Sequence, residues 1–441
     1  MKTAREVALL TLSACETGQT WAGAYVSAAT EAERLSPRDG ALALRLVYGV
    51  LQNRMRIDFY LRHFCSMPLG KLEEKTLNCL RLGAYQLLYL DKIPPSAAVN
   101  EAVKLTRRYA RNPRAPGLVN GVLRSMERSR SALPPLPRTP VSEALALQYS
   151  HPQWFVEELL SRLGGAQAQA VLAENNREAP MTLQVNLQKT EEAVLLEALK
   201  AKNSTAAPHP KLRDCIQLQG AGNVTRLPLW AEGGFWVQDP AARMAVLAGD
   251  PRPGDRVLDA CSAPGGKSFA AAVQMKDRGE IISCDLNERK LALVAEGAAR
   301  LGFESIKTQV GDAGEFRPQW KEGFDLVIGD LPCSGFGVIR KKPDIRYRPK
   351  DTLAHLPALQ LRLLGCLAQY VRPGGVLLYS TCTVLERENE GVVQAFLKGH
   401  PAFSPEPFSI PLGDGEKGMA TIWPHMGGTD GFFIAKLRRE A

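Results

Sequence analysis

LDACSAPGGKSF, residues 258–269, is a short turn-forming stretch that follows an apolar run and contains a proline, two glycines and a lysine. A glycine-rich turn after a strand lets a ligand approach the backbone closely, and such turns commonly bind a phosphate group. A nucleoside without phosphate is the alternative ligand. The residues of this turn, and those that follow the neighbouring strands, distinguish the two.

The turn departs from the Walker A pattern G-x-x-x-x-G-K-[ST], which binds nucleoside triphosphates. When Gly266, Lys267 and Ser268 are aligned with the end of that pattern, Cys261 stands where its first glycine belongs. Pro264 lies inside the loop and has no backbone N–H to donate to a phosphate. The turn does not match G-x-G-x-x-G either, which disfavours a dinucleotide.

Strand-like and helical stretches alternate from Gly233 to the C-terminus. The strand-like runs are VLDA, IISCD, FDLVIGD and GGVLLYS, and helical stretches separate them. This alternation predicts βαβ crossovers and a parallel sheet that is covered on both faces. We therefore predict a Rossmann-like α/β domain over residues 233–441, with its ligands beyond the carboxyl ends of the strands.

Two regions precede this domain. Residues 1–135 have apolar residues at i, i+3, i+4 and i+7 spacing, which predicts an all-α bundle, and the proline-rich stretch 131–140 reads as a linker. Residues 141–232 mix helical stretches with alternating strands, which predicts a small α+β module. The predicted fold class is thus multidomain, with an all-α bundle, an α+β module and a Rossmann-like α/β domain.

The net charge of +9 is concentrated in the predicted bundle. Residues 1–135 contain 20 Lys and Arg against 11 Asp and Glu, and the rest of the chain contains 35 of each sign. A basic region joined to a neutral one predicts a module that binds a polyanion, and the usual polyanion is nucleic acid. A solvated arginine-rich surface is the alternative interpretation.

A second basic stretch, RKKPDIRYRPK, spans residues 340–350 and has six basic residues against one acid. We expect it to hold an RNA backbone, with Tyr347 stacking on a base. A plain solvated loop is the alternative.

The composition also bears on location and metal binding. No run of 18 or more apolar residues occurs, and charges interrupt the N-terminal stretch, so neither a membrane span nor a signal peptide is predicted. The nine cysteines are odd in number and contain no C-x-x-C pair, which disfavours disulfides and a zinc site. We expect a cytoplasmic monomer with no membrane association and no metal ion.

Chemically useful residues follow the predicted strands. Asp285 lies 20 residues beyond Gly265, where an acid meets ribose hydroxyls in nucleoside-binding folds, and capping of the next helix is its alternative role. Asp312 follows the next strand and suits an adenine amine. Cys333 and Cys382 follow two further strands and are predicted to face one ligand crevice, although burial in the core is the alternative for each.

Together these residues resemble the S-adenosylmethionine-dependent RNA cytosine-C5 methyltransferases. The family's motifs are matched, in order, by a first turn, three acids, a Pro-Cys pair and a Thr-Cys pair: Cys261, Ser262, Ala263, Pro264, Gly265, Gly266 and Lys267; Asp285, Asp312 and Asp330; Pro332-Cys333; Thr381-Cys382. The N-terminal stretches VNEAVKLTRRYA and GLVNGVLRSMER are similar to the NusB-related helical RNA-binding domain. This combination is typical of the RsmB (Sun, Fmu) branch of the family.

The resemblance implies roles for these residues. It implies that S-adenosylmethionine is the methyl donor and that the turn 261–267 binds it, together with the three acids Asp285, Asp312 and Asp330. It also implies that Cys382 attacks C6 of the cytosine and that Cys333 acts in product release. Asp330 either contacts the cofactor or steers the base. Lys267 either touches the cofactor carboxylate or lowers the pKa of a thiolate.

The implied substrate is a cytosine of small-subunit (16S) ribosomal RNA, with transfer RNA as the alternative. A DNA cytosine-C5 methyltransferase is a weaker alternative, because those enzymes use the cysteine of the Pro-Cys pair as nucleophile and this chain has a NusB-like region. A non-catalytic NusB-type RNA-binding factor is disfavoured because both Cys333 and Cys382 are present.

Overall fold

The computed structural model describes residues 1–16, 21–202, 205–220 and 222–441. The chain divides into two compact units. The first is Met1–Asn176 with Lys341–Arg348, and the second is Arg177–Arg340 with Pro349–Ala441. Within the described residues, no helix combines the length and the apolar character that a membrane crossing requires. The predicted domain boundaries at 1–135, 141–232 and 233–441 stay predictions.

The first unit is helical, as predicted for the N-terminal region. Its helices are α1 (Ala4–Glu16), α2 (Ala22–Ala32), α3 (Pro37–Phe64), α4 (Glu74–Tyr89), α5 (Pro95–Tyr109), α6 (Ala115–Arg128), α7 (Val141–Tyr149) and α8 (Gln153–Glu174). Helix α3 begins where Ser36 accepts a hydrogen bond from the Asp39 N–H and Pro37 takes the first helical position. Apolar side chains such as Leu46, Leu80 and Leu123 then form one buried core.

The segment Lys341–Arg348 is part of the helical unit although it comes from the second half of the sequence. Arg346 is only 1% exposed. Its guanidinium donates hydrogen bonds to four oxygens at 2.9–3.3 Å, those of the Gln52, Tyr149 and Ser150 carbonyls and of the Asn176 side chain. Burial lowers the pKa of Arg346 to about 10. Arg346 therefore anchors this segment in the helical unit.

Tyr347 is anchored in the same unit. Its hydroxyl donates to the Leu51 carbonyl at 2.5 Å, and the Arg54 guanidinium lies 4.6 Å from its ring centroid. The prediction that Tyr347 stacks on an RNA base is therefore wrong, because the ring already packs against the helical core. Of the basic residues in this segment, Lys342 is exposed.

We expect Arg346→Ala to lower the free energy of unfolding of the helical unit by roughly 3 kcal/mol, because buried carbonyl oxygens lose their donor. Lys342→Ala in the same segment removes an exposed cation and is expected to change it by no more than about 0.5 kcal/mol. Urea unfolding followed by circular dichroism measures both variants. Equal midpoints for the two would show that Arg346 does not anchor the segment.

The second unit begins with a small antiparallel sheet. Its strands are β1 (Met181–Val185), β2 (Ala207–Pro208), β3 (Cys215–Leu218) and β4 (Phe235–Val237), and helix α9 spans Glu192–Lys200. The strands lie in the order β2-β3-β1-β4. Leu195 of α9 joins Leu183, Ile216 and Phe235 of the sheet in one apolar cluster. The prediction of a small α+β module is confirmed.

The large sheet of this unit contains the predicted parallel strands. The remaining strands of the unit are β5 (Arg256–Asp259), β6 (Glu280–Asp285), β7 (Ile306–Val310), β8 (Phe324–Asp330), β9 (Val371–Thr381), β10 (Phe403–Pro405), β11 (Phe408–Ile410), β12 (Gly413–Gly415), β13 (Met419–Ile422) and β14 (Phe432–Arg439). The order is β10-β14-β9-β8-β5-β6-β7, with β13 beside β14 and β11 paired with β12 outside this sheet. Strands β5 to β9 run parallel, and β14 is antiparallel to β9.

Helices cover both faces of this sheet. They are α10 (Pro240–Gly249), α11 (Gly266–Gln274), α12 (Glu288–Leu301), α13 (Leu356–Ala368) and α14 (Glu390–Gly399). Successive strand residues point to opposite faces. Val257 of β5 accordingly packs in the cluster of α10–α12, and Leu258 packs in the cluster of α13 and α14. The predicted Rossmann-like α/β fold is confirmed.

The strand order reverses at β5. The chain passes from β5 outward to β6 and β7, and then returns to β8 and β9 on the other side of β5. Ligands of such sheets bind where neighbouring loops diverge at this reversal. The residues that follow the carboxyl ends of the five parallel strands therefore share one edge of the sheet.

Candidate active site

The turn after β5 is held by its own backbone hydrogen bonds. The Ala263 N–H donates to Asp285 Oδ2 at 3.2 Å, and the Gly265 N–H donates to the Ser262 carbonyl at 2.6 Å. Pro264 has no N–H. Three backbone positions of the turn thus have no donor for a phosphate, which excludes a Walker-type phosphate cradle.

Gly265 is required by the shape of the turn. Its φ is 107°, and a Cβ at this position would lie 2.4 Å from the Phe269 ring of α11. The glycine therefore allows α11 to begin directly at the end of the turn. The second Asp285 oxygen accepts from the Asn287 N–H at 3.0 Å, so this carboxylate joins the turn to the end of β6.

Asp259, the last residue of β5, is a site residue that the sequence reasoning missed. It is fully buried, and Ser268 Oγ donates to its Oδ2 at 2.7 Å. Burial raises the pKa of Asp259 to about 6, although the Ser268 hydrogen bond opposes this shift. Among the residues that the structure describes, Asp259 Oδ1 and Ser262 Oγ have no hydrogen-bond partner. The available signal was its position, since Asp285 and Asp330 also end strands.

The raised pKa of Asp259 predicts a pH-dependent stability. Between its ordinary pKa of 3.8 and about 6, the folded state binds a proton that the unfolded state has lost. The free energy of unfolding therefore decreases as the pH rises through this window, by at most about 3 kcal/mol. We expect the free energy of unfolding of the wild type to fall between pH 4.5 and pH 7 by more than that of Asp259→Asn. Urea unfolding of both proteins at the two pH values measures this difference. Parallel pH dependence in the two proteins would contradict the assignment.

The buried Lys267 and the partly exposed Asp330 form an ion pair at the same edge. Lys267 Nζ lies 2.6 Å from Asp330 Oδ2, and Ser380 Oγ donates to Asp330 Oδ1 at 2.8 Å. Lys267 is 8% exposed. Burial by itself lowers the pKa of Lys267, but the Asp330 carboxylate more than offsets this, and the pKa is raised above its ordinary value. Lys267 therefore carries a fixed positive charge.

Cys333 and Cys382 lie together, as the strand-end pattern predicts. Their Sγ atoms are 3.3 Å apart, and both side chains are partly exposed. The Cys382 sulfur, followed by burial, raises the pKa of Cys333 well above that of an ordinary thiol. Cys333 therefore remains protonated beside Cys382. Neither side chain is fully buried in the apolar core, which was the alternative for each cysteine.

The Cys382 backbone is fixed by two neighbouring loops. The Gly337 N–H donates to the Cys382 carbonyl at 2.9 Å, and the Gly431 N–H donates to the Gly337 carbonyl at 2.8 Å. A Cβ at Gly337 would lie 1.9 Å from the Gly431 oxygen. Only glycine permits this approach, so three loops meet at Cys382.

Two other predicted site residues make different contacts. Cys261 packs against the apolar cluster of α13 and α14, and burial raises the pKa of its thiol. Its side chain is therefore an unreactive packing group, and only its place in the turn connects it to the site. Asp312 follows β7, and its Oδ1 accepts from the Gly314 N–H at 2.7 Å, which shapes its own loop.

Comparisons with known proteins match three successive regions of the chain. Residues 246–438 match the family model described as 16S rRNA methyltransferase RsmB/F, and residues 2–128 match the NusB family. Residues 151–225 match the ferredoxin-like domain of the RsmF/B-like methyltransferases. The "Probable ribosomal RNA small subunit methyltransferase B" of Bacillus subtilis is 36% identical over 445 residues, 99% of this chain and 98% of the relative. This chain belongs to the RsmB/F family of 16S rRNA methyltransferases.

Further similarities agree with this assignment. The "Probable ribosomal RNA small subunit methyltransferase B" of Synechocystis sp. is 34% identical over 450 residues, and the alignment covers 100% of this chain and 100% of the relative. A solved methyltransferase homolog protein from Pyrococcus horikoshii is 26% identical, with a TM-score of 0.60, over 68% of this chain and 99% of that chain. The predicted RsmB/F-family membership and enzyme class are confirmed, and this RsmB/F enzyme acts on RNA.

S-adenosylmethionine is the methyl donor of this RsmB/F enzyme, and the residues at the sheet edge fit it. The cofactor has ribose hydroxyls and a sulfonium cation but no phosphate. Asp285 and Asp259 provide carboxylates, which accept hydrogen bonds from hydroxyls and attract a cation. Asp259 Oδ1 and Ser262 Oγ are buried and have no partner within the described part of the chain, so each has capacity for a ligand hydrogen bond.

Proposed function

We propose that this RsmB/F-family enzyme methylates C5 of a cytosine in 16S ribosomal RNA through a temporary bond between Cys382 Sγ and C6 of the base. The observation that carries the proposal is the 3.3 Å distance between the Cys382 and Cys333 sulfurs at the edge that also holds Asp285. The relatives named above support ribosomal RNA as the substrate.

The first step is attack on the base. C5 of cytosine is too weak a nucleophile to accept a methyl group unaided. Addition of the Cys382 thiolate to C6 moves the electron pair of the C5–C6 double bond onto C5, which becomes enamine-like. Asp330, held by Lys267 and Ser380, accepts a hydrogen bond from the exocyclic amine and orients the ring.

The second step is methylation and release. When bound, S-adenosylmethionine supplies an electrophilic methyl group, and Asp285 and the turn 261–267 hold it. C5 then carries both the methyl group and a proton. Removal of that proton returns its electron pair to the C5–C6 bond, and the Cys382 sulfur leaves as a thiolate.

Cys333 is suited to accept this proton. The Cys382 sulfur is the main cause of the raised pKa of Cys333. Once Cys382 is bonded to C6 its sulfur is a neutral thioether, so the largest cause of the raised pKa of Cys333 is removed. Cys333 thus loses its proton more readily after Cys382 has reacted than before, which favours this order of the two steps.

Bisulfite sequencing tests the substrate and the position of methylation. Small-subunit ribosomal RNA and transfer RNA, each made without modification, are incubated with the purified chain and S-adenosylmethionine. A newly protected cytosine in the 16S RNA supports the proposal. Protection only in transfer RNA, or in neither, would overturn it. The proposal includes a monomer acting in the cytoplasm, which light scattering and cell fractionation test.

We expect Asp285→Ala to weaken S-adenosylmethionine binding by about 10-fold, because an acceptor for the ribose hydroxyls is lost. RNA affinity should remain unchanged. Asp285→Asn retains one acceptor oxygen and should lose less. Calorimetry with the full chain measures cofactor affinity, and an unchanged dissociation constant for Asp285→Ala would refute the ribose contact.

A further inference from the structure

Two adjacent residues, Glu388 and Asn389, lie directly before α14 and are 0% exposed. A carboxylate and an amide are costly to bury unless they form hydrogen bonds. Neither residue carries a role in the mechanism above. Their hydrogen bonds lead to the two loops that bear the reactive cysteines.

Glu388 holds the loop that contains Cys333. Glu388 Oε2 accepts a hydrogen bond from the Ser334 N–H at 2.8 Å. It also accepts one from Gln360 Nε2 at 3.2 Å, and the same nitrogen donates to the Pro332 carbonyl at 2.9 Å. The residues on both sides of Cys333 are therefore tied to this carboxylate, one directly and one through Gln360.

Asn389 holds the loop that contains Cys382 in the same way. Asn389 Oδ1 accepts from the Thr381 hydroxyl at 2.6 Å, and Asn389 Nδ2 donates to the Thr383 carbonyl at 3.0 Å. The residues before and after Cys382 are both bound to one amide group. This contact fixes the backbone direction at the nucleophile.

The dipeptide is itself fixed to the sheet. The Tyr379 hydroxyl of β9 donates to the Glu388 carbonyl at 2.5 Å. A further hydrogen bond of 2.8 Å joins the hydroxyls of Ser334 and Thr383, so the two cysteine loops also contact each other directly. The hydrogen bonds of Glu388 and Asn389 thus reach both cysteine loops, β9 and, through Gln360, helix α13.

We infer that Glu388 and Asn389 are positioning residues that set the placement of the Cys333 and Cys382 thiols relative to each other. The inference rests on the proposed roles of these cysteines. Because the two residues are consecutive, one rigid stretch of backbone determines both loops. Displacement of a reacting group by about 1 Å can cost about 100-fold in rate.

Substitution of Glu388 and substitution of Asn389 should slow different steps of the reaction. Glu388→Ala loosens the Cys333 loop, so proton removal slows by about 100-fold while attack continues, and the chain accumulates as a covalent complex with RNA. Asn389→Ala loosens the Cys382 loop, so formation of the complex slows by about 100-fold. Formation is measured in the Cys333→Ala background, where release does not interfere. Denaturing gels of each variant with S-adenosylmethionine and 16S RNA measure both quantities.

Conservative variants separate positioning from folding. Glu388→Gln keeps an acceptor for the Ser334 N–H and should restore most of the turnover. Gln360→Ala removes the bridge between Glu388 and the Pro332 carbonyl but keeps the hydrogen bond from the Ser334 N–H to Glu388, so it should give the Glu388→Ala result more weakly. This variant keeps the test open if Glu388→Ala does not fold. Glu406→Gln is the matched control, because Glu406 binds Arg438 and Lys436 of β14 and touches neither loop. Glu406→Gln should lose stability without any change in the trapped fraction, which is the fraction of the chain held in a covalent complex with RNA.

The outcomes separate failure of the positioning role from failure of the proposed cysteine roles. A trapped fraction in Glu388→Ala equal to that of wild type and of Glu406→Gln, with lowered stability alone, would overturn the positioning role. Unchanged complex formation in Asn389→Ala would do the same for Asn389. If Cys333→Ala itself forms no covalent complex, the proposed cysteine roles fail, and this inference fails with them.

Discussion

Cys382→Ala is expected to abolish methyl transfer to RNA, with a loss of at least about 10⁴-fold. Removal of the nucleophile from a covalent mechanism leaves only the contribution of binding and orientation. Without a sulfur at this position no bond to C6 forms, and C5 keeps the low nucleophilicity of free cytosine. Transfer of a labelled methyl group from S-adenosylmethionine to 16S RNA measures the loss.

The cofactor affinity of Cys382→Ala should equal that of wild type, because Asp285 and the turn after β5 are untouched. Cys65→Ala is a suitable control, since Cys65 is a buried cysteine of the helical unit. It should retain turnover. If Cys382→Ala keeps turnover within about 10-fold of wild type, Cys382 is not the nucleophile.

The sequence permitted a close prediction of the catalytic edge because parallel strands place their following residues together. The turn 261–267, Asp285 and the two cysteines each follow a strand that its apolar run made recognisable. The ion pair of Lys267 with Asp330 was not predictable, since 63 residues separate them. The sequence left two roles open for Lys267 and two for Asp330, and only the fold brings the two side chains into contact.

The roles of residues that depend on partners distant in the sequence were not predictable from local patterns. Arg346 and Tyr347 lie in a strongly basic stretch, which is typical of a solvated or RNA-binding loop. Their partners Gln52 and Leu51 lie almost 300 residues earlier in the chain. No local pattern shows that a guanidinium will find enough carbonyl oxygens to be buried.

Glu388 illustrates the same limit beside the active site. A charged residue before a helix reads as an exposed N-terminal acid. Its partner Ser334 lies 54 residues earlier, in the loop after β8. The parallel pairing of β8 with β9 brings the loops that follow them together. The topology was predictable from the apolar runs, but the hydrogen bonds that depend on it were not.

Cys333→Ala is expected to give the opposite failure to Cys382→Ala, namely a stable covalent complex between the chain and RNA. Cys382 remains able to attack, and C5 can still receive its methyl group. The proton on C5 then has no acceptor at the position of the Cys333 sulfur, 3.3 Å from the attacking atom. The bond between Cys382 and C6 therefore persists, and a large fraction of the variant should migrate slowly on a denaturing gel.

The double variant Cys333→Ala with Cys382→Ala is the control, and it should form no complex, because the bond depends on the Cys382 sulfur. Complex formation should also require S-adenosylmethionine if release without methylation is fast. A complex that appears with Cys382→Ala instead would assign the nucleophile to Cys333. The raised pKa of Cys333 argues against that outcome, since a thiol that stays protonated beside another sulfur is the poorer nucleophile of the pair.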